Sequence, residues 1–142
     1  MPAWYVHTAV NLIVFVPILI FFRIFSFDLL LLILWWSVFI DIDHLFYYSY
    51  KLRTFSFFKI LKHSNVDFKL DRVHFYIFHT IEFFLLFGIA VYLTNFDMNL
   101  SLLLLVVSIH LALDASRHYI KHRNFSWLKY YSAFYYFLKK VK

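Results

Sequence analysis

The chain has 142 residues, of which 63% are hydrophobic and 25% aromatic, and its formal net charge is +6. This composition excludes an ordinary soluble domain, because the apolar residues come in long blocks rather than as a stripe along each helix. The absence of cysteine excludes a disulfide framework and a thiolate zinc site, so any metal ion would be held by histidine and carboxylate side chains. The sequence therefore predicts a polytopic membrane protein.

Four apolar blocks have about the 20-residue length that a hydrocarbon layer of about 30 Å requires. They cover residues 4–22, 28–48, 74–93 and 99–120. The first block has no basic leader and no small-residue cleavage site before Arg23, so we expect a retained helix, kinked at Pro17. Asp28 is the predicted N-cap of the second helix, and Asp97 or Asn99 that of the fourth.

The connections between the blocks predict their arrangement. Two connections are short, so helices 1 and 2, and helices 3 and 4, are expected to form antiparallel hairpins. The longer connection at 51–72 contains TFSFFKILK, which predicts a short interfacial helix. The predicted fold is an all-α membrane protein with four antiparallel transmembrane helices in residues 1–121. Residues 122–142 are predicted to form a basic, aromatic, amphipathic helix on the membrane surface.

The basic residues predict the orientation of these helices. Of the 14 lysines and arginines, only Arg23 lies in the two short turns, and the other 13 lie in the middle connection or the C-terminal part. By the positive-inside rule that face is cytoplasmic, with both termini on the same side. The net charge is then interpreted as attraction to membrane lipids with anionic headgroups, and no nucleic-acid partner is expected.

Ionisable residues are predicted to meet at this cytoplasmic side. Antiparallel helices bring the starts of helices 1 and 3 beside the ends of helices 2 and 4. The residues placed at this depth are His7, Asp41, Asp43, His44, His74, His79, Glu82, His110 and Asp114. Burying them costs at least a few kcal/mol each unless they are paired or bound to a cation. Nitrogen and oxygen donors without sulfur suit Zn²⁺, Mn²⁺ or Fe²⁺, as one ion or two.

The spacing of these residues also favours a shared site. Three pairs at i,i+3 or i,i+4 are expected to share a helix face: Asp41 with His44, His79 with Glu82, and His110 with Asp114. Asp43 points away from Asp41 in a regular helix, which leaves two alternatives, a second subsite or a helix loosened at this point.

Each group taken alone also has an interpretation that involves no metal site. Single histidines near helix ends usually lie at the interface, and His63, His118 and His122 are interpreted in this way. For His110 and Asp114 by themselves, an interhelical hydrogen bond explains the pair about as well as metal ligation does. The joint occurrence of such groups on four helices favours one common site.

The order of these elements resembles that of the membrane-bound, metal-dependent hydrolases known as LexA-binding, inner-membrane-associated hydrolases. The matching elements are His7, the segment Asp41-Ile42-Asp43-His44, the stretch HFYIFHT at 74–80, and His110 with Asp114. The resemblance covers roughly residues 1–120 and implies a multi-pass metal-binding hydrolase of the inner membrane. Ile40 stands where the family commonly has proline, and the arginine and glycine of the family's third motif are missing here.

The leading hypothesis is a hydrolase at the cytoplasmic leaflet whose divalent ion, zinc or manganese, polarises a phosphoryl or acyl group. The predicted metal ligands are His7, Asp41, Asp43, His44, His79 and Asp114. The predicted catalytic residues are His74, Glu82 and His110, and the predicted substrate-binding residues are Arg72 and Arg117. A phospholipid or another lipid-linked phosphate is the expected substrate.

The alternative hypothesis is a non-enzymatic membrane protein, either a carrier or a scaffold with a structural metal or polar site. A carrier needs polar residues that continue to the far side, and the outer halves of these helices are almost free of charge. A structural site would instead have closed coordination. A di-iron oxidase is disfavoured, because His118-x3-His122 is its one supporting element and the chain has no adjacent His-His pair. The signatures of other membrane hydrolases are also missing, since the chain has neither the His-Glu-x-x-His motif of zinc proteases nor a Gly-x-Ser-x-Gly nucleophile elbow.

Overall fold

The computed structural model describes residues 4–69, 76–123 and 132–141, and the regular structure of these residues is entirely helical, with no strand. The α-helices are α1 (Trp4–Phe21), α2 (Phe27–Phe39), α3 (Ile42–Leu52), α4 (Phe57–Lys69), α5 (Ile81–Leu93), α6 (Met98–His122) and α7 (Ala133–Val141). A short 3₁₀ helix, Ile77–His79, precedes α5. The prediction of an all-helical fold is confirmed for this part of the chain.

Two helical units are long and apolar enough to cross a membrane. They are Phe27–Leu52, which α2 and α3 form together, and α6. α1 and α5 are also apolar but shorter, with 18 and 13 residues. At 1.5 Å per residue α5 is only about 20 Å long, so by its length alone it does not bridge a hydrocarbon layer of about 30 Å.

Side-chain oxygens cap the starts of three helices. Ser26, Thr80 and Asp97 each accept a hydrogen bond at 3.1 Å from the backbone N–H three residues further on. Asp97 is thus confirmed as the cap of α6, whereas the prediction of Asp28 was wrong, because the Ser26 hydroxyl starts α2 two residues earlier. Asp28 lies instead in the first turn of α2, where its negative charge interacts favourably with the helix dipole.

The single helix expected over residues 28–48 is interrupted at Ile40 and Asp41. The N–H of Asp41 donates to the carbonyl of Val38 at 3.1 Å, and the N–H of His44 donates to the carbonyl of Asp41 at 3.2 Å. Both bonds span three residues rather than four, which is the tighter winding of a 3₁₀ turn. The turn separates α2 from α3 and changes the directions in which the side chains after it point.

A buried stripe along α1 changes from apolar to polar. Leu19, Phe15, Asn11 and His7 follow one another at intervals of four residues, and each is 0% exposed. This spacing places all four on one face of the helix. The face that packs into the apolar core at one end of α1 therefore carries a histidine into the interior at the other end.

The apolar end of that stripe belongs to a core formed by three helices. Its buried members are Phe15 and Leu19 from α1, Leu29 and Ile33 from α2, and Val106 from α6. Next to this core, the Asn11 amide donates to the Ser37 hydroxyl at 2.8 Å, and that hydroxyl donates to the carbonyl of Ile33 at 2.7 Å. Asn11 meets Ser37 while Leu19 packs near Leu29, so α1 and α2 run antiparallel as expected.

Two amphipathic helices lie outside this core. On α4, Ile60 is buried while Phe58, Lys59 and Lys62 are exposed. α4 packs against α3, and α7 lies within the predicted C-terminal segment, 122–142, with Phe134, Phe137 and Leu138 exposed. The exposed phenylalanines are of the kind found at membrane surfaces.

Replacing Phe15 by alanine is expected to destabilise the fold by about 3–5 kcal/mol, because the fully buried ring leaves a cavity between α1, α2 and α6. Phe21→Ala is the matched control, since Phe21 is 80% exposed, and it should change stability by no more than about 0.5 kcal/mol. Chemical unfolding in detergent, followed by circular dichroism, measures both. Equal losses would show that the core does not lie where the structure places it.

Candidate metal centre

Six side chains capable of binding metal converge at the polar end of the helices. α1 provides His7, the turn between α2 and α3 provides Asp41, α3 provides His44, the 3₁₀ helix provides His79, and α6 provides His110 and Asp114. They form three overlapping groups: His7, Asp41 and His110; Asp41, His44 and His79; and His79, His110 and Asp114. Within each group the donor atoms lie within 4.8 Å of one another. The cluster could hold a metal ion.

Four of the donor atoms lie close enough together to bind one ion, and we call these four atoms the donor set. The Nε2 atom of His79 lies 3.3 Å from Nε2 of His110, 3.5 Å from Oδ1 of Asp41 and 3.5 Å from Oδ2 of Asp114. The Nε2 atom of His110 lies 3.6 Å from each of the same two carboxylate oxygens. Ligands held about 2.0–2.1 Å from one ion stand about 3.3–3.4 Å apart in a regular tetrahedron. These five distances are close to that value, so the donor set suits a single small ion.

His44 stands beside this set as a fifth donor. Its Nε2 atom lies 3.3 Å from Nε2 of His79 and 3.7 Å from Oδ1 of Asp41. The His44 ring also packs on Tyr76, with ring centroids 3.6 Å apart. Nothing in the sequence distinguishes Tyr76 from the other ten tyrosines of the chain, so its place beside the cluster could not be predicted.

Asp43 lies on the far side of His79 and fixes its orientation. One oxygen, Oδ2, accepts the N–H of Phe78 at 3.0 Å and lies 3.3 Å from Nδ1 of His79. We assign the His79 proton to Nδ1, which donates to this carboxylate, so the lone pair of Nε2 is turned toward the other donors. A carboxylate behind a metal-binding histidine is the usual way to hold its tautomer and its ring.

The turn at Ile40 and Asp41 decides between the two alternatives left open for Asp43. Because the helix is interrupted there, Asp41 and Asp43 approach opposite nitrogens of one imidazole, Asp41 at Nε2 and Asp43 at Nδ1 of His79. The helix is loosened at this point, and Asp43 orients a donor of the shared site. Asp43 is predicted as a ligand, but the structure does not bring it into any of the three donor groups.

The charge of the cluster also favours a cation. With neutral imidazoles, the three carboxylates of Asp41, Asp43 and Asp114 carry a formal charge of −3. Their side chains are only 18%, 11% and 8% exposed. Buried carboxylates close to one another are strongly unfavourable unless positive charge is present. A divalent cation among these oxygens would offset most of that repulsion.

His7 closes the cluster from α1. Its Nε2 atom lies 3.3 Å from Oδ1 of Asp114, and its ring stacks on that of His110 with centroids 3.8 Å apart. Within the described part of the chain, neither ring nitrogen of this fully buried histidine makes a hydrogen bond. The contact between His7 and Asp114 is therefore close but is not a hydrogen bond. Two ligands of one ion make a contact of this kind.

The structure does not bring every predicted residue into the cluster. Arg117 is exposed on α6, and the predicted residues His74 and Arg72 lie outside the described residues. His63 is exposed on α4, while His118 and His122 pack on each other further along α6, with ring centroids 4.4 Å apart.

Glu82 lies in none of the three groups and instead caps α7. Its carboxylate accepts hydrogen bonds from the Ser132 hydroxyl at 2.8 Å, from the N–H of Ala133 at 3.0 Å and from the N–H of Phe134 at 3.1 Å. Helix α5 begins only at Ile81, after the extended backbone of Thr80. His79 and Glu82 are therefore not on one helix, and the expectation of a shared face was wrong.

Asp43→Ala is expected to weaken metal binding about 10- to 100-fold, because His79 loses the carboxylate that orients it while all four atoms of the donor set remain. Asp41→Ala removes a donor and should weaken binding further. Competition with a chromogenic chelator in detergent measures both affinities. Equal losses would place Asp43 among the ligands.

Glu82→Ala is expected to leave the metal content unchanged and to speed amide hydrogen exchange in α7, because the N–H groups of Ala133 and Phe134 lose their acceptor while the Ser132 hydroxyl still caps Tyr135, an effect of about 0.5–2 kcal/mol. Asp97→Ala is the matched control, since it removes the cap of α6 and not that of α7. Mass spectrometry of exchanged peptides provides the measurement. Loss of metal in Glu82→Ala would show that Glu82 belongs to the metal centre.

Comparison of the chain with known family models, with curated proteins and with solved structures found no match. The resemblance to membrane-bound hydrolases therefore stays a hypothesis drawn from the order of the motifs. The geometry described above, a buried His/Asp cluster able to hold a metal ion, is the basis for assigning a function.

Proposed function

We propose that the chain is an integral-membrane, metal-dependent hydrolase that acts on a lipid-linked phosphate at the cytoplasmic interface. The observation that carries this proposal is the close approach of the donor set on His79, His110, Asp41 and Asp114, in which five distances between donor atoms are 3.3–3.6 Å. Asp43, which holds His79 from behind, adds the orienting contact typical of metal centres.

Zinc and manganese are the proposed ions, since imidazole and carboxylate donors suit both. A divalent ion bound there would act as a Lewis acid that polarises the scissile ester and makes water easier to ionise. The chain would supply the proton transfers. Nε2 of His44 lies beside the donor set, 3.3 Å from Nε2 of His79. From there it would take a proton from the attacking water and return it to the leaving oxygen as the ester P–O bond breaks.

Access to the cluster supports an enzyme rather than a closed site. Asp41 is its most exposed member, with 18% of the side chain accessible, while His7 and His110 are fully buried. Asp41 belongs to the donor set, so solvent reaches one of the side chains that would hold the ion. Catalytic sites keep such an open position, whereas structural sites close it.

The membrane arrangement is part of the proposal. In it α1, the α2–α3 unit, α5 and α6 all cross the inner membrane, with both termini in the cytoplasm. The 13 basic residues outside the short turns support this orientation, as does the convergence of His and Asp at one end of the helices. A span as short as α5 is accommodated where the bilayer thins around it. The exposed aromatic and basic residues of α4 suit contact with anionic headgroups.

A structural metal site is the second candidate. The group of His79, His110 and Asp114 favours it, because all three side chains are buried. In that case the metal would join α6 to the 3₁₀ helix and stabilise the fold without chemistry. The two candidates make different predictions for variants that leave the ligands in place.

His44→Gln is expected to retain metal and to lower kcat about 10²- to 10⁴-fold, because the proton acceptor beside the ligand set is lost. The matched control is His63→Gln, whose histidine is exposed on α4, and it should leave kcat unchanged. Hydrolysis of phosphatidate and of phosphodiester lipids in mixed micelles, with Zn²⁺ or Mn²⁺, provides the measurement. Metal-loaded wild-type protein that hydrolyses none of these lipids would favour the structural site.

A further inference from the structure

We infer that the cluster is built for two metal ions, with Asp114 bridging them and His7 binding the second. The inference rests on the proposed function in one respect, that the cluster binds metal at all. It goes beyond that function in assigning the donors to two separate positions.

The stacking of His7 on His110 carries the inference. An imidazole nitrogen binds a metal through a lone pair that lies in the plane of the ring, so the ion also lies close to that plane. The rings of His7 and His110 are inclined by only 14°, and their centroids are 3.8 Å apart. Two planes so nearly parallel do not meet near the rings, and one ion cannot lie in both. The two histidines therefore serve different ions.

The separation of the rings agrees with this assignment. Ions in two-metal hydrolytic sites lie about 3.5–4 Å apart. The ring centroids of His7 and His110 are 3.8 Å apart, so positions in the two ring planes can be separated by a similar distance. A stacked pair of imidazoles thus offers one nitrogen to each position.

Asp114 divides its two oxygens between the same two positions. Oδ1 lies 3.3 Å from Nε2 of His7, while Oδ2 lies 3.5 Å from Nε2 of His79 and 3.6 Å from Nε2 of His110. A carboxylate placed in this way binds one ion through each oxygen. Asp114 is therefore the bridging ligand.

Two further groups can complete the second position. A carboxylate oxygen of Asp41 belongs to the donor group that contains His7 and His110. Asn11 follows His7 by one helical turn, and its amide is held by the hydrogen bond to Ser37. The Oδ1 atom of Asn11 is buried and makes no hydrogen bond to any described residue. This oxygen is a neutral donor close to His7 in the helix.

Two ions would suit the phosphate ester of the proposed function. A pair at this spacing would stabilise both the attacking and the leaving oxygen of an in-line displacement at phosphorus.

Metal content and electron paramagnetic resonance of the manganese-loaded wild-type protein test the inference. We expect two equivalents of Mn²⁺ and a spectrum of two exchange-coupled ions. One equivalent, or two ions without coupling, would overturn the two-ion site and leave the proposed function standing. Failure to bind Zn²⁺ or Mn²⁺ at all would overturn both.

His7→Phe tests the role of the second histidine, because phenylalanine keeps a ring to stack on His110 and removes both nitrogens. We expect the metal content to fall from two equivalents to one and the coupled spectrum to disappear. His63→Phe is the matched control on the exposed face of α4 and should keep both ions. Two coupled ions in His7→Phe would contradict the assignment, and the wild-type spectrum decides the number of ions even if this variant does not fold.

Discussion

The burial of three carboxylates among four imidazoles is the constraint on which the rest of the structure depends. Charged groups removed from water are stable only when opposite charge or hydrogen bonds replace their hydration. In this chain, nitrogens of histidines from four separate stretches of chain lie 3.3–3.7 Å from the carboxylate oxygens. The helices can satisfy this requirement only if their ends are held in register, which is the task of the apolar core.

The core and the cluster are continuous, and this continuity explains how the register is held. The face of α1 that packs Phe15 and Leu19 into the core also carries Asn11 and His7, so the core fixes the height and rotation of His7. Because protein interiors are close-packed, a shift of α1 in the core would move the imidazole by a similar amount. The stacking of His7 on His110 is thus a consequence of helix packing as much as of local attraction between the rings.

Much of the cluster could be predicted from the sequence, because its parts follow from local geometry. The i,i+4 spacing of His110 and Asp114 places them on one helix face, and the structure brings them together, with 3.6 Å between Nε2 and Oδ2. The convergence of groups from distant parts of the chain was predicted from the antiparallel arrangement of the helices. The roles of Asp41 and Asp43 could not be predicted, because they depend on a turn at Ile40. No glycine or proline at this point in the sequence indicates that turn.

Glu82 shows a different limit of sequence reasoning. Its partners are separated from it by 50 to 52 residues, and no periodicity within α5 indicates a contact of that kind. A carboxylate in an apolar helix suggested a catalytic role for Glu82. The same charge is equally suited to the N-terminus of another helix, where unpaired N–H groups and the helix dipole favour an anion.

The position of Glu82 links the surface helix to the site. Glu82 follows Thr80, the cap of α5, and Thr80 follows His79, so the contact that docks α7 lies three residues from an imidazole of the cluster. The other amphipathic helix, α4, packs against α3, which begins immediately after Asp41. Both amphipathic helices are thus attached to the elements that carry the donors. Under the proposed function, contact of these helices with the membrane surface would hold the donors near the lipid headgroups that carry the substrate phosphate.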